Sequence, residues 1–176
     1  KQIQSSRFLV LSVLIILAAC TRALPRLLPD MWNFTAVGAL AVFAGARIAD
    51  KKLAIIVPLA AMVLSDLFIG GDFTRPVVYA AFVCMVVCGI LIKDKVSVTN
   101  VALASIAGAV IFYLITNFAF LYPWYPHNMQ GVMQSYIAGL PFLRNMLIAD
   151  AFYGVVLFGG FYLLERKYPA ISAGRI

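Results

Sequence analysis

Charge is what this sequence has least of: 12% of its 176 residues are Asp, Glu, Lys or Arg, against roughly 25% in an ordinary soluble domain. So thin a polar complement does not cover the surface of a soluble fold of this length. Histidine occurs once, as His127, and cysteine three times. A lone histidine argues against a two-histidine metal or haem site. The sequence has neither a glycine loop with lysine for phosphate nor a His/Glu zinc motif. No ladder of carboxylates runs through the apolar stretches, as a proton or sodium pump commonly requires. The two halves also lack the paired broken helices of a self-sufficient secondary transporter. Linkers, low-complexity tracts and internal repeats are missing too. The expectation is one domain, 1–176, with no catalysis, metal or cofactor.

What is present is apolar. Hydrophobic residues make up 64% of the chain, gathered into continuous runs. A hydrocarbon core of about 30 Å takes about 20 helical residues, and six runs approach that length: 8–24, 34–49, 53–69, 76–92, 101–121 and 143–164. Their continuity excludes the alternating strands of a membrane barrel. The predicted fold class is an all-α integral membrane protein, six transmembrane helices in one bundle within a lipid bilayer. The second run is short and rich in Ala and Gly, which predicts that it packs inside the bundle. Ala41, Gly45 and Ala49 recur there every four residues, and Ala104 with Gly108 and Ser105 with Ala109 repeat the spacing on the fifth run. Small residues so spaced let helices approach closely in lipid; the same faces also suit a partner subunit. Ala80, Cys84 and Cys88 on the fourth run read as a packing stripe rather than a thiol metal site, and no disulfide is inferred.

Charge orients the spans. With six helices, one side receives Lys1, Arg7, Arg47, Lys51, Lys52, Lys93, Lys95, Arg166, Lys167 and Arg175, and the other only Arg22, Arg26, Arg75 and Arg144. The positive-inside rule then puts both termini in the cytoplasm, of a bacterial inner (cytoplasmic) membrane in this reading. Asp50, Asp94 and Glu165 leave the inner side at +7, while Asp30, Asp66, Asp72 and Asp150 bring the outer side to zero. Topology accounts for the basic excess, so no nucleic-acid partner is expected. The stretch LAAC at 17–20 resembles a lipoprotein cleavage site and is read instead as part of a first span or signal anchor.

The longer connections all fall on the outer side, where loops tend to carry function. They are 21–33 with two prolines, 70–75 (GGDFTR), and 122–142, within which 131–140 reads as a short interfacial helix ended by Gly139 and Pro141. Near the same end lie Asp66, Asn117, Arg144 and Asp150, with Ser65 and Asn145 adding donors. Ionisable residues in a span usually face the protein interior. Two readings stand: a polar pocket open to the outside, or an ion pair of Arg144 with Asp66 or Asp150 that ties helix ends together. The segment LYPWYPHNMQG (121–131) adds Tyr122, Trp124 and Tyr125, residue types that favour a membrane interface. It continues with His127, Asn128 and Gln130, and Gln134 follows. Aromatic faces with amides suit a lid over a flat, polar, ring-bearing molecule, and equally an interfacial anchor. The candidate ligand-binding set is therefore Asp66, Asn117, Trp124, His127, Asn128, Arg144 and Asp150.

NFTAVGALAVFAGA (33–46), VPLAAMVLSDLFIG (57–70), the ITNFAFLYPWYPHN region and LPFLRNMLIADAFYGVVLFGG (140–160) together resemble a family of bacterial membrane proteins known as a domain of unknown function. That family is in turn distantly similar to the substrate-binding S components of energy-coupling-factor vitamin importers. The resemblance implies six helices, cytoplasmic termini, an outward-facing site for a vitamin or small cofactor taken up as cargo, and loops that close over it. It also implies a coupling protein and ATPases on other chains. S components meet the coupling protein through small residues of the first helix, whereas the clearest stripe here, Ala41–Gly45–Ala49, lies on the second run. Uptake is the leading functional expectation. The alternative is a non-catalytic accessory subunit of a larger membrane complex, and a standalone channel or transporter ranks below both.

Overall fold

The computed structural model describes residues 2–27, 30–70 and 72–167. Lys1 and Arg175 of the charge pattern, Leu28 and Pro29 of the first connection and Gly71 of the second lie outside the described residues. Each of the six apolar runs is helical: α1 (Gln2–Thr21), α3 (Val37–Arg47), α4 (Lys51–Ile69), α5 (Arg75–Leu91), α6 (Val98–Thr116) and α7 (Met129–Gly154). A single turn, α2 (Leu24–Leu27), follows α1. A π-helical turn, Val155–Gly159, joins α7 to α8 (Gly160–Lys167). No strand occurs among the described residues. Three helical stretches are long and apolar enough to cross a membrane: Lys51–Ile69, Val98–Thr116 and the continuous Met129–Lys167.

The helix starts follow local chemistry. Asp50 accepts from the Lys52 amide at 2.7 Å to begin α4, Ser97 from the Asn100 amide at 3.2 Å to begin α6, and Asn128 from the Gly131 amide at 3.0 Å to begin α7. Each satisfies one of the donors that a first helical turn leaves free. Gly131 is required here, because a Cβ would overlap the Pro126 carbonyl oxygen.

The expected break near 139–141 does not exist: α7 runs straight through Gly139 and Pro141. A proline removes one backbone bond, which a long helix tolerates when its neighbours hold it. Gly139 is small for packing rather than for termination. A Cβ there would come within 2.5 Å of Asn117 Oδ1 and 2.9 Å of the Tyr113 ring. Tyr113 also donates to the Tyr136 carbonyl at 2.6 Å, and Tyr136 to the Leu114 carbonyl at 3.0 Å, which ties α6 to the same turn of α7.

At the centre sits α3, buried from Val37 to Ala46 as its composition predicts. It passes α5 backbone to backbone: a Cβ on Gly45 would overlap the Val86 carbonyl oxygen, and one on Gly89 the Val42 carbonyl oxygen. Of the Ala80–Cys84–Cys88 stripe, Cys88 is buried in the core and Ala80 is exposed, and Gly89 makes the closest approach to α3. Gly108 of α6 packs on the Met85 side chain. Below the crossing, Phe43 stacks edge-on with Phe158 (5.2 Å) and Phe161 (5.6 Å), and Arg47 faces Glu165 at 3.8 Å.

Backbone obstacles cannot move aside as side chains can. Gly45→Ala and Gly89→Ala should each destabilise the fold by about 1–3 kcal/mol, whereas Gly108→Ala, against a flexible methionine, should cost distinctly less. Thermal unfolding of the three variants in detergent measures the order, and equal losses at all three would refute the α3–α5 crossing.

Candidate functional site

Six elements bring polar groups to one end of the bundle: the C-terminal ends of α1, α4 and α6, the N-terminal end of α5, the connection into α3, and the segment leading to α7. They enclose a cavity of about 410 Å³, lined by Arg22, Asp66, Arg75, Tyr79, Asn117 and Tyr122 among others. Its hub is Asp66, only 7% exposed. One carboxylate oxygen pairs with Arg22 Nη1; the other accepts the Tyr79 hydroxyl at 2.7 Å and faces Arg75 Nε at 3.8 Å. Arg22 Nη1 also donates to Ser65 Oγ at 2.6 Å and to the Met62 carbonyl at 3.2 Å. A helix-end carboxylate is thereby shared by α1, α4 and α5.

The walls are fixed by hydrogen bonds from outside the cavity. Asn145, 4% exposed, donates to the carbonyls of Asp30 (2.7 Å) and Trp32 (3.1 Å). This holds a connection in which Asp30 (φ 62°) and Asn33 (φ 64°) take the left-handed conformation, which Asp and Asn tolerate better than most residues. Asn117 donates to the Tyr113 carbonyl at 3.0 Å. The Tyr122 hydroxyl donates to the Thr116 carbonyl. Burial, with Asp72 and Tyr125 adding, pushes its phenol pKa up, so it stays a neutral donor.

The structure divides the candidate set. Asp66 and Asn117 line the cavity. Trp124 lines an adjoining space of about 250 Å³ that shares Asn117 and Tyr122. It packs 5.0 Å from the Tyr122 ring and 6.4 Å from Phe73, so the second and third connections interlock over the site. His127 is exposed and stacks on Phe120 at 4.8 Å, and Asn128 caps α7; neither reaches the cavity. The expected Arg144 ion pair is absent. Arg144 is exposed, within 3.3 Å of Asn145 Oδ1, while the partners of Asp66 are Arg22 and Arg75. Asp150, 2% exposed, does not line the site either; it lies against Gly38 at the start of α3. Arg144 and Asp150 are six residues apart, about 120° around a helix. Depth is legible in the sequence and direction is not. Sequence reasoning missed Arg22, Arg75, Tyr79 and Phe73 as site residues, and read Tyr122 as a lid or anchor aromatic without placing it in the candidate set. A signal existed for the two arginines, each at the mouth-side end of a run that is otherwise uncharged.

Among the described residues, fold and site together define a helical, largely apolar bundle with a charged cavity at its end. The chain belongs to a family of unknown function, DUF6580, whose pattern it matches over residues 2–171. No curated protein and no solved structure matches it.

Removing one partner of a buried pair leaves the other charge unsatisfied, at about 3–5 kcal/mol when water is excluded. Arg22 is 22% exposed at its side chain, so the lower end or less is expected for Asp66→Ala. Arg22→Met combined with Asp66→Leu should recover part of that loss. A double mutant as unstable as the sum of the singles, read by thermal unfolding, would show that Arg22 and Asp66 do not stabilise each other.

Proposed function

We propose that this chain is a six-pass inner-membrane protein that captures a small polar molecule at its outer face, as the binding subunit of an uptake system. The observation that carries the reading is the charged cavity around Asp66, roofed by Phe73, Tyr122 and Trp124. A void of about 410 Å³ falls within the roughly 300–1,000 Å³ of small-molecule sites. The basic asymmetry supports the orientation: the cavity end carries few of the cations, and the opposite end gathers Arg47, Lys51, Lys52, Lys93, Lys95, Arg166 and Lys167. At 1.5 Å per residue the Met129–Lys167 helix is about 58 Å long, roughly twice a hydrocarbon core. A helix of that length leaves turns standing outside the membrane, and the segment that leads into it carries Tyr122 and Trp124. Energy for release inward would come from coupling and ATPase subunits on other chains, the arrangement that S components of energy-coupling-factor importers use.

A second reading has one observation in its favour. Between α1 and the π turn lies an almost wholly apolar space of about 370 Å³ walled by Leu14, Leu17, Leu40, Val156 and Leu157, a geometry that suits an accessory subunit packed against a partner helix.

Native mass spectrometry after gentle purification separates the two. Uptake predicts a retained small molecule that is lost in Trp124→Ala and in the cavity-filling Val78→Trp. Asn128→Ala should cost about 0.5–2 kcal/mol of stability as a lost cap and leave retention intact. A retained protein partner, with a small-molecule profile indifferent to both cavity variants, would favour the accessory subunit.

A further inference from the structure

We infer that the cavity selects a monoanion, presented as a planar carboxylate on a ring-sized body, and that Arg75 grips it. This rests on the reading of the cavity as an outward-facing binding site.

Most of the hydrogen-bonding capacity around Asp66 is already committed. Both of its oxygens are engaged, by Arg22 on one side and by Tyr79 and Arg75 on the other. Arg22 is anchored, since its Nη1 serves Asp66, Ser65 and the Met62 carbonyl. Arg75 is not anchored in the same way. Its approach to Asp66 is 3.8 Å, beyond hydrogen-bond reach, and its Nε is buried with no hydrogen-bond partner among the described residues. A buried guanidinium N–H without an acceptor is costly, which leaves Arg75 held less firmly than Arg22 and free to turn its fork toward an incoming acceptor. Its side chain is 41% exposed, so it remains reachable from the mouth.

Charge sets the valence of the ligand. Asp66 offsets only one of the two guanidinium groups. The remaining acid of the lining, Asp72, is exposed and turned to its own loop, accepting from the Thr74 amide at 2.8 Å and the Thr74 hydroxyl at 2.5 Å. The Arg22–Asp66–Arg75 cluster therefore carries one net positive charge, with Asp72 standing on the same lining but outside its ion pairs. One negative charge completes it, and a dianion would bring a second charge into a poorly hydrated space.

Shape selects carboxylate and ring. The guanidinium fork matches a carboxylate in two parallel hydrogen bonds. Beyond the arginines the cavity is walled by Phe112, Phe142, Tyr79 and Tyr122, with Asn117 at the side. Flat apolar faces with amide edges from Asn33 and Asn117 fit a ring rather than an extended chain.

Defined probes stand in for the natural ligand in the test. In a full-length chain with Cys20, Cys84 and Cys88 replaced by alanine, Val78→Cys places a thiol on the cavity wall. Its labelling is followed with two singly charged methanethiosulfonates, anionic sulfonatoethyl and cationic trimethylammonioethyl, each normalised to its rate with a free thiol. The anionic reagent should be favoured by about tenfold, the low end of what a charged cleft produces. Arg75→Gln should abolish the preference while the labelling itself persists. Benzoate should slow labelling and benzamide, its neutral counterpart, should not. Equal rates for the two reagents, or equal effects of benzoate and benzamide, would overturn anion selection and leave the open cavity standing. Labelling by neither reagent would overturn the outward-facing cavity itself, and this inference with it.

Discussion

Everything in this fold hangs on how closely α3 approaches α5. A helix of eleven residues is about 16 Å long, too short to cross a hydrocarbon core by itself. It survives at the centre because other helices surround it, and irregular backbone at membrane depth is tolerated only where protein encloses it. The enclosure depends on Gly45 and Gly89, each facing a carbonyl oxygen of the opposite helix. In lipid, helix association has no hydrophobic drive, and contact area and close approach take its place. A methyl group at either glycine would separate the two backbones and with them the elements stacked on α3.

That crossing also builds the site. Because α5 is held against α3, its first turns present Arg75 and Tyr79 toward the end of α4, where Asp66 waits. The shared carboxylate then recruits Arg22 from the end of α1. Charged groups that would be costly singly in an apolar setting become tolerable as a connected set, with Ser65 and the Met62 carbonyl also accepting from Arg22. The aromatic roof is a separate construction. Phe73 on one connection and Tyr122 and Trp124 on another meet by ring contact, with the Asn128 cap fixing where α7 begins.

Continuous apolar runs are a one-dimensional signal, and the six helices, the interior place of 34–49 and the level of the polar layer were legible from them. Partners were not legible, because they depend on rotation about helix axes and on which helices are neighbours. Arg144 is the clearest case. It sits at a depth suited to Asp66, yet the inward face of α7 is Asn145, Met146, Ala149 and Asp150, which turns Arg144 away. Gly139 and Pro141 misled for a related reason. Both are breakers by local rule, but Asn117 and Tyr113 occupy the space beside Gly139, so tertiary packing keeps the helix whole. Asn128 and His127 had the chemistry of ligand contacts and took local duties instead, one as a cap and one in a stack.

Asp150 shows how a polar residue deep in such a bundle can be structural without an ion pair. The first turn of α3 receives no capping side chain from Ala36. The Ala36 amide is taken by Thr21 Oγ1 at 2.9 Å. Asp150 stands nearby with its carboxyl against Gly38, both oxygens buried and with neither a hydrogen-bond partner nor a cation among the described residues. A carboxyl at a helix N-terminus interacts favourably with the exposed N–H groups and the positive end of the dipole. It fits only because residue 38 lacks a Cβ. Gly38 and Asp150 therefore form one packing unit at the start of α3, remote from the cavity that Asp66 organises.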